Sequence, residues 1–285
     1  MRILITGGKG MLGRTLLNHW QGAHTCFSAD LPEADLTLPE VLERTLDDAQ
    51  PDVVVHCAAM TQVDLCESQP QRAFKVNEEL TKNLAIACHN RQIRLIAIST
   101  DYVFAGADPT PQLETFRPSP RTVYGASKLA GEEAIRTHCP NHIIARVAWL
   151  YGSGGPSFVH TMLALAAAEP LRTLDVVNDQ HGNPTSADAV AKVLTALLTR
   201  PDLTGTFHLT CEGITTWYEF AQTIFRLAGY TAIRVNPCTS EAFKRPAKRP
   251  KWSALSKAKL KSAKLPAMPP WQEALAQFIR KEWPL

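Results

Sequence analysis

Short β-branched runs at 2–6, 25–28, 52–56, 94–99 and 142–147 alternate with stretches of helical length and spacing at 11–20, 39–49, 70–90 and 120–138. The runs are apolar at consecutive positions rather than at every second one, the pattern of strands covered on both faces. Strand and helix in alternation imply right-handed crossovers and a parallel sheet with helices on both sides. The fold class expected is therefore α/β, a doubly wound parallel sheet.

Beyond Tyr151 the rhythm changes. Helical stretches at 158–168, 186–199 and 216–227 alternate with two short strand candidates, 172–176 and 206–209. Pro-rich loops follow, then a last helix at 271–281. The division expected is a nucleotide-binding domain over 1–150 and a smaller mixed α/β lobe over 151–285, some of whose segments return to the first domain. At 285 residues the chain is near two units of ~150.

Composition narrows the class further. With 45% apolar and 20% charged residues, disorder, collagen and coiled coil are excluded. The longest uncharged stretch, 147–168, is interrupted by Gly152-Ser153-Gly154-Gly155-Pro156 and cannot span a bilayer, which takes about 20 apolar residues. No charged leader precedes the first strand, so a cytoplasmic location is expected. The seven cysteines form no CxxC pair, and buried reduced thiols are expected rather than metal ligands or disulfides. The net charge of +3 is uneven: 244–264 carries nine basic residues and no acidic one. Such a stripe suits an anionic ligand, a nucleic acid or plain solvated surface. Only Trp252 interleaves it, and nucleic acid ranks last.

The chemistry begins at Gly7-Gly8-Lys9-Gly10-Met11-Leu12-Gly13, which closes a strand and opens a helix. In a dinucleotide-binding βα turn the first glycine makes the turn, the second admits pyrophosphate and the third lets helix and strand pack closely. The helix N-terminus offers free N–H groups to the phosphates. This is a Rossmann loop for NADPH or NADH. Asp30, after the second strand, could bond the adenosine ribose and favour NADH; Arg14 could instead accept a 2′-phosphate. Asp35 and Leu36 follow within reach of the adenine, and small residues at Cys57-Ala58-Ala59-Met60-Thr61 could let the nicotinamide ribose lie close.

Tyr124 and Lys128 stand at i and i+4 on one helical face. A free tyrosine titrates near ~10, and an adjacent ammonium is expected to lower that value. Thr100 closes the fourth strand and can hydrogen-bond a reacting carbonyl oxygen. Together they suit hydride transfer to a ketone, with Tyr124 as proton donor. Asn77 could anchor a water or a backbone carbonyl near Lys128, or face solvent.

The chain resembles the extended short-chain dehydrogenase/reductases, and within them the dTDP-4-dehydrorhamnose reductase family. The resemblance rests on the glycine loop, Ala58-Ala59-Met60-Thr61-Gln62-Val63-Asp64, Ser99-Thr100-Asp101-Tyr102-Val103-Phe104 and Tyr124-Gly125-Ala126-Ser127-Lys128-Leu129-Ala130-Gly131-Glu132. Arg146-Val147-Ala148-Trp149-Leu150-Tyr151-Gly152, Asn178-Asp179-Gln180-His181-Gly182-Asn183-Pro184-Thr185 and Arg249-Pro250-Lys251-Trp252-Ser253-Ala254-Leu255 extend it. It implies reduction of dTDP-6-deoxy-L-lyxo-4-hexulose to dTDP-L-rhamnose with NADPH or NADH. It further implies Tyr124, Lys128 and Thr100 as catalytic residues, with Thr100, Asp101 and Trp149 on the sugar. Gly10, Met11 and Leu12 would hold pyrophosphate, Asp35 and Leu36 the adenosine, and Ala59, Met60 and Thr61 the nicotinamide side. Arg249 or a neighbour then becomes the counter-charge of the substrate diphosphate.

Some family members carry glutamate two residues after the third glycine, in a metal-linked dimer. Thr15 stands there in this chain, so no metal is expected and a homodimer stays open. Two other functions are open as well: reduction or epimerisation of another nucleotide sugar, and a regulatory role like that of the methionine adenosyltransferase beta subunit. The intact Thr100, Tyr124 and Lys128 speak against the regulatory role.

Overall fold

A computed structural model describes residues 1–283. The chain runs β1 (Arg2–Thr6), α1 (Met11–Trp20), β2 (Thr25–Ala29), α2 (Pro39–Ala49), β3 (Val53–His56), α3 (Val63–Ser68), α4 (Pro70–Phe74), α5 (Leu80–Asn90), β4 (Arg94–Thr100), α6 (Val123–His138) and β5 (His142–Val147). It continues through β6 (Leu150–Tyr151), α7 (Phe158–Ala168), β7 (Thr173–Val177), β8 (His181–Gly182), β9 (Thr185–Ser186) and α8 (Ala187–Leu198). Last come β10 (Gly205–His208), β11 (Thr215–Thr216), α9 (Trp217–Leu227), β12 (Arg234–Cys238), α10 (Ala258–Ser262) and α11 (Trp271–Glu282).

Six strands form one parallel sheet in the order β2-β1-β3-β4-β5-β10. The order turns back between β1 and β3, which opens the crevice where doubly wound sheets bind their ligands. Successive residues of each strand serve opposite cores, as the period of two requires. Ile3, Ile5, Val53, Val55 and Ile143 pack with Leu16, Val190 and Leu194 of α1 and α8. Leu4, Val54, Leu95 and Ile144 pack with Leu46, Leu84 and Ile135 of α2, α5 and α6.

One segment of the second lobe returns to the main sheet, and one helical stretch differs from expectation. The strand candidate at 206–209, placed in the second lobe by its position along the chain, is β10, and it pairs with β5 from Gly205↔Ile143 to His208↔Arg146. Without it β5 would be an open edge. Arg94 fixes the return, donating to Leu197 O (2.9 Å) and Leu203 O (2.7 Å). The helical stretch at 70–90 is broken by a π turn, Lys75–Glu79, between α4 and α5. A separate short helix, α3, precedes it.

Outside the main sheet, β7 pairs with β12, β6 with β9 and β8 with β11, the last antiparallel. The basic segment crosses back over the loop after β4: Trp252 N–H donates to Gly106 O (3.2 Å) and Gln112 N–H to Ala254 O (2.9 Å). Among the described residues, no helix is long and apolar enough to cross a membrane.

Candidate active site

The glycine loop leaves β1 at the turn-back point. Gly7 has φ +72°, the left-handed region, and a Cβ there would stand 2.6 Å from Ala58 N. At Gly13 a Cβ would stand 2.2 Å from Gly7 O, so α1 reaches the loop only because that side chain is missing. The N-cap of α1, Gly10, brings no capping side chain, and the first turn holds no acidic residue. Its N–H groups are thus free to take a pyrophosphate, and Met11 and Leu12 present them. The cradle fits a dinucleotide.

Around it the adenosine residues divide. Asp30 Oδ2 accepts the Lys9 N–H, so this carboxylate holds the glycine loop itself and leaves Oδ1 for a ribose. Asp35 Oδ1 accepts from Thr37 N (3.0 Å) and Thr37 Oγ1 (2.7 Å), and these donors hold its carboxyl below the usual range. The Leu36 side chain belongs to the core shared with α2. Arg14 lines a separate groove of about 480 Å³ with Asn18, His19, Ser153 and Asp188, and neither Asp30 nor Asp35 belongs to it.

On the nicotinamide side, the strand end at Ala59, Met60 and Thr61 is gripped by one side chain. Asn77, buried in the π turn, accepts from Met60 N (2.8 Å) and donates to Met60 O (3.1 Å). Its Nδ2 also donates to Ser127 Oγ (3.0 Å), which sits on α6 between Tyr124 and Lys128. Of the two readings of Asn77, the anchored carbonyl is the one found.

Tyr124, Lys128 and Thr100 are all buried and converge where α6 passes the end of β4. Burial pushes the Tyr124 phenol above its ordinary value, Asp101 and Tyr102 add to this, and the Thr100 hydroxyl beside it works the other way. The expected lowering by Lys128 is not what is found: burial sets the direction, and Lys128 is not among the groups that act on the phenol. The phenol stays protonated, the form a proton donor needs. Burial brings the Lys128 ammonium down to about 8, while Glu132 and Cys57 act to raise it. Thr100 Oγ1 donates to Asp101 Oδ1 (3.0 Å), and the other oxygen, Oδ2, is buried with no hydrogen-bond partner among the described residues. Burial pushes the Asp101 carboxyl up to about 7. An unpartnered carboxyl oxygen beside Thr100 and Tyr124 is a ready contact for a hydroxylated substrate.

The Tyr102 ring packs edge-on against Tyr124 at 5.5 Å. A cavity of about 1090 Å³ takes Phe158, Met162 and Trp217 as well as Lys244, Lys248 and Arg249 into its lining. Tyr124 is not in its lining. Arg249 links the two regions, since it acts on the Tyr102 hydroxyl and donates to Asp64 Oδ2 (3.0 Å). Burial alone would raise the Asp64 carboxyl, but Arg249, the Ala247 N–H and Arg245 hold it below the usual range. Trp149 stacks on Trp217 at 3.5 Å and has φ +47°, a left-handed conformation rare for a bulky residue.

The segment 178–185 works mainly as a clamp. Asp179 accepts from Ser240 N and Ser240 Oγ (2.8 Å each), and Asn183 Oδ1 accepts from Leu255 N (2.8 Å). Gln180 alone of them lines the large cavity. Asp64, Ser127 and Gln180 were not expected as site residues. Only the occurrence of each inside a family motif pointed to them.

The family model described as RmlD substrate binding domain matches residues 1–283. The chain belongs to that family. It is 42% identical to a dTDP-4-dehydrorhamnose reductase of Streptomyces griseus, over 97% of this chain and 92% of that one. Among solved structures, a dTDP-4-dehydrorhamnose reductase of Clostridium acetobutylicum superposes with a TM-score of 0.94 at 40% identity, over 99% of each chain. That of Bacillus anthracis, in complex with NADP, gives 0.95 at 33% identity, over 98% of this chain and 99% of that one. At these scores both solved structures share the fold of this chain.

Proposed function

We propose that the chain reduces the 4-keto group of dTDP-6-deoxy-L-lyxo-4-hexulose to give dTDP-L-rhamnose, with NADPH or NADH. The observation that carries this reading is the buried Tyr124 phenol beside the Thr100 hydroxyl, with Lys128 one turn further along α6, in a chain of this family that has the glycine-loop cradle. The nicotinamide cofactor, when bound, supplies the hydride that goes to C4.

Tyr124 gives its proton to the C4 oxygen. An alkoxide is a far stronger base than a phenolate, so even a phenol raised by burial donates downhill. Thr100 aligns that oxygen, and the Lys128 ammonium stabilises the phenolate left behind. Asp101 and Trp149 hold the hexose. The diphosphate lies toward Arg249, whose pairing with Asp64 fixes its direction, and the nucleoside end fills the amphipathic cavity. Residues 1–150 form the cofactor domain and 151–285 chiefly the substrate lobe. The cytoplasm is the proposed location, in keeping with seven free cysteines.

The test is a spectrophotometric assay at ~340 nm, the reduced nicotinamide band. Purified protein is mixed with NADPH or NADH and dTDP-4-keto-6-deoxyglucose, with and without a 3,5-epimerase. Oxidation that requires the epimerase and disappears in Tyr124→Phe supports the assignment. Oxidation without the epimerase points to a reductase of the unepimerised sugar. Absence of oxidation in both arms, with cofactor still bound, overturns it.

A further inference from the structure

A buried carboxylate lies midway along α6, the catalytic helix. Glu132 stands one turn beyond Lys128, so Tyr124, Lys128 and Glu132 line one face of α6 at i, i+4 and i+8. Its side chain is 2% exposed, yet its carboxylate receives four donors from three elements. Ser99 Oγ donates to Oε1 (2.6 Å), Arg146 donates through Nε to Oε1 (2.8 Å) and through Nη2 to Oε2 (2.6 Å), and Arg136 Nη2 also reaches Oε2. Ser99 immediately precedes Thr100 on β4, and Arg146 lies on the adjacent strand β5.

We propose that Glu132 is a positioning residue of the reductase: it fastens the Tyr124–Lys128 face of α6 to β4 beside Thr100, and places a fixed negative charge one helical turn from the Lys128 ammonium. The first half follows from the bonds. Ser99 and Arg146 sit on neighbouring strands, so a bidentate carboxylate between them sets the height of α6 above the sheet. The relation between the Tyr124 phenol and the Thr100 hydroxyl depends on that height.

The second half follows from the charges around Lys128. On its own helix stand the Tyr124 phenol and Glu132; from the end of β3 comes His56, kept neutral by burial, and from the residue after it the Cys57 thiol. Asp101, at the end of β4, acts on Tyr124. Asn77 contributes an uncharged amide from the π turn. Arg146 and Arg136 bind Glu132. Burial drives Lys128 toward neutrality, and Glu132 is the foremost influence resisting it. Neutralising Glu132 would also leave two guanidinium groups without their counter-charge.

The inference rests on the reductase reading, and its test separates the two. The pH profile of kcat/KM is measured on the full chain for wild type, Glu132→Gln, Glu132→Asp and Ser99→Ala. An inactive wild type refutes the reductase reading itself. With wild type active, Glu132→Gln is expected to move the alkaline limb down by about one pH unit and to lower the neutral-pH rate about tenfold. Glu132→Asp keeps the charge, so its limb stays in place while its rate falls. A folded Glu132→Gln protein with the wild-type limb overturns the electrostatic half. Where Glu132→Gln does not fold, Glu132→Asp and Ser99→Ala decide. A limb displaced in Glu132→Asp overturns the electrostatic half. Ser99→Ala keeps every charge and is expected to lower kcat several-fold, with cofactor KM and limb unchanged; a wild-type kcat there overturns the positioning half.

Discussion

Asn77 pairs with Met60 as one strand pairs with another, accepting from its N–H at 2.8 Å and donating to its carbonyl at 3.1 Å. The side chain thereby extends the hydrogen bonding of β3 past its end, where backbone partners have run out. Because the same amide also holds Ser127, the segment 59–61 and the catalytic helix move together. Asn77→Ala would leave buried backbone groups unsatisfied. A loss of about 3 kcal/mol of stability is expected, with a raised cofactor KM, checked by thermal unfolding and steady-state kinetics.

Tyr124→Phe removes the proton and little volume. kcat should fall by about 10²–10⁴, while NADPH affinity, followed by fluorescence titration, stays near wild type. A large loss of cofactor affinity would mean that the phenol serves binding first.

His56 predicts an acid limit to stability. It lies buried between Thr6 Oγ1 (2.7 Å) and Thr81 Oγ1 (3.1 Å), and burial, aided by Lys128, lowers its folded value to about 3. The unfolded chain binds this proton near ~6.5, so the stabilisation is present above that pH and lost as pH falls toward the folded value. The loss could reach about 5 kcal/mol. His208, also brought down to about 3, adds to the same window. Urea unfolding between neutral and acid pH should show the slope, and His56→Gln should reduce it by about one proton.

Gln180 is 7% exposed and lines the large cavity, where it adds a neutral amide to apolar and cationic walls. Replacing it with leucine keeps the volume and removes the polar edge. The nucleotide-sugar KM should rise about tenfold, the worth of one good hydrogen bond, with the NADPH KM unchanged. Equal rises in both would place the residue in folding rather than recognition.

Gly13→Ala tests the cradle. The added methyl would meet Gly7 O at 2.2 Å and Gly8 Cα at 2.5 Å, both backbone atoms that cannot swing aside. α1 must then lift from the loop, and NADPH affinity should fall at least about tenfold. Isothermal titration would show it.

What could be read from the sequence was local. The glycine loop and the i, i+4 pair of Tyr124 and Lys128 are set by spacing within one turn or one helix, and both stand where spacing put them. The π turn was hidden, because an i+5 backbone ladder leaves no mark in the pattern of side chains. The pairing of Asp64 with Arg249 joins residues 185 positions apart, and neither has a neighbour in sequence that announces the other. The direction of the Tyr124 shift is hidden in the sequence for a related reason. A lysine one turn away is visible in the sequence, but burial arises only when the rest of the chain closes over the phenol.

The place of β10 has a consequence for how this chain could have been assembled. Its residues follow α8 in the second half, yet Gly205–His208 complete the sheet that carries the glycine loop. A fragment ending near residue 150 would bare the whole of β5 as an unpaired edge, a template for joining another chain. The substrate-facing half therefore cannot be exchanged as an independent cassette. Recombination that gave this scaffold a new sugar pocket would have to preserve one strand of the old sheet inside the new insert.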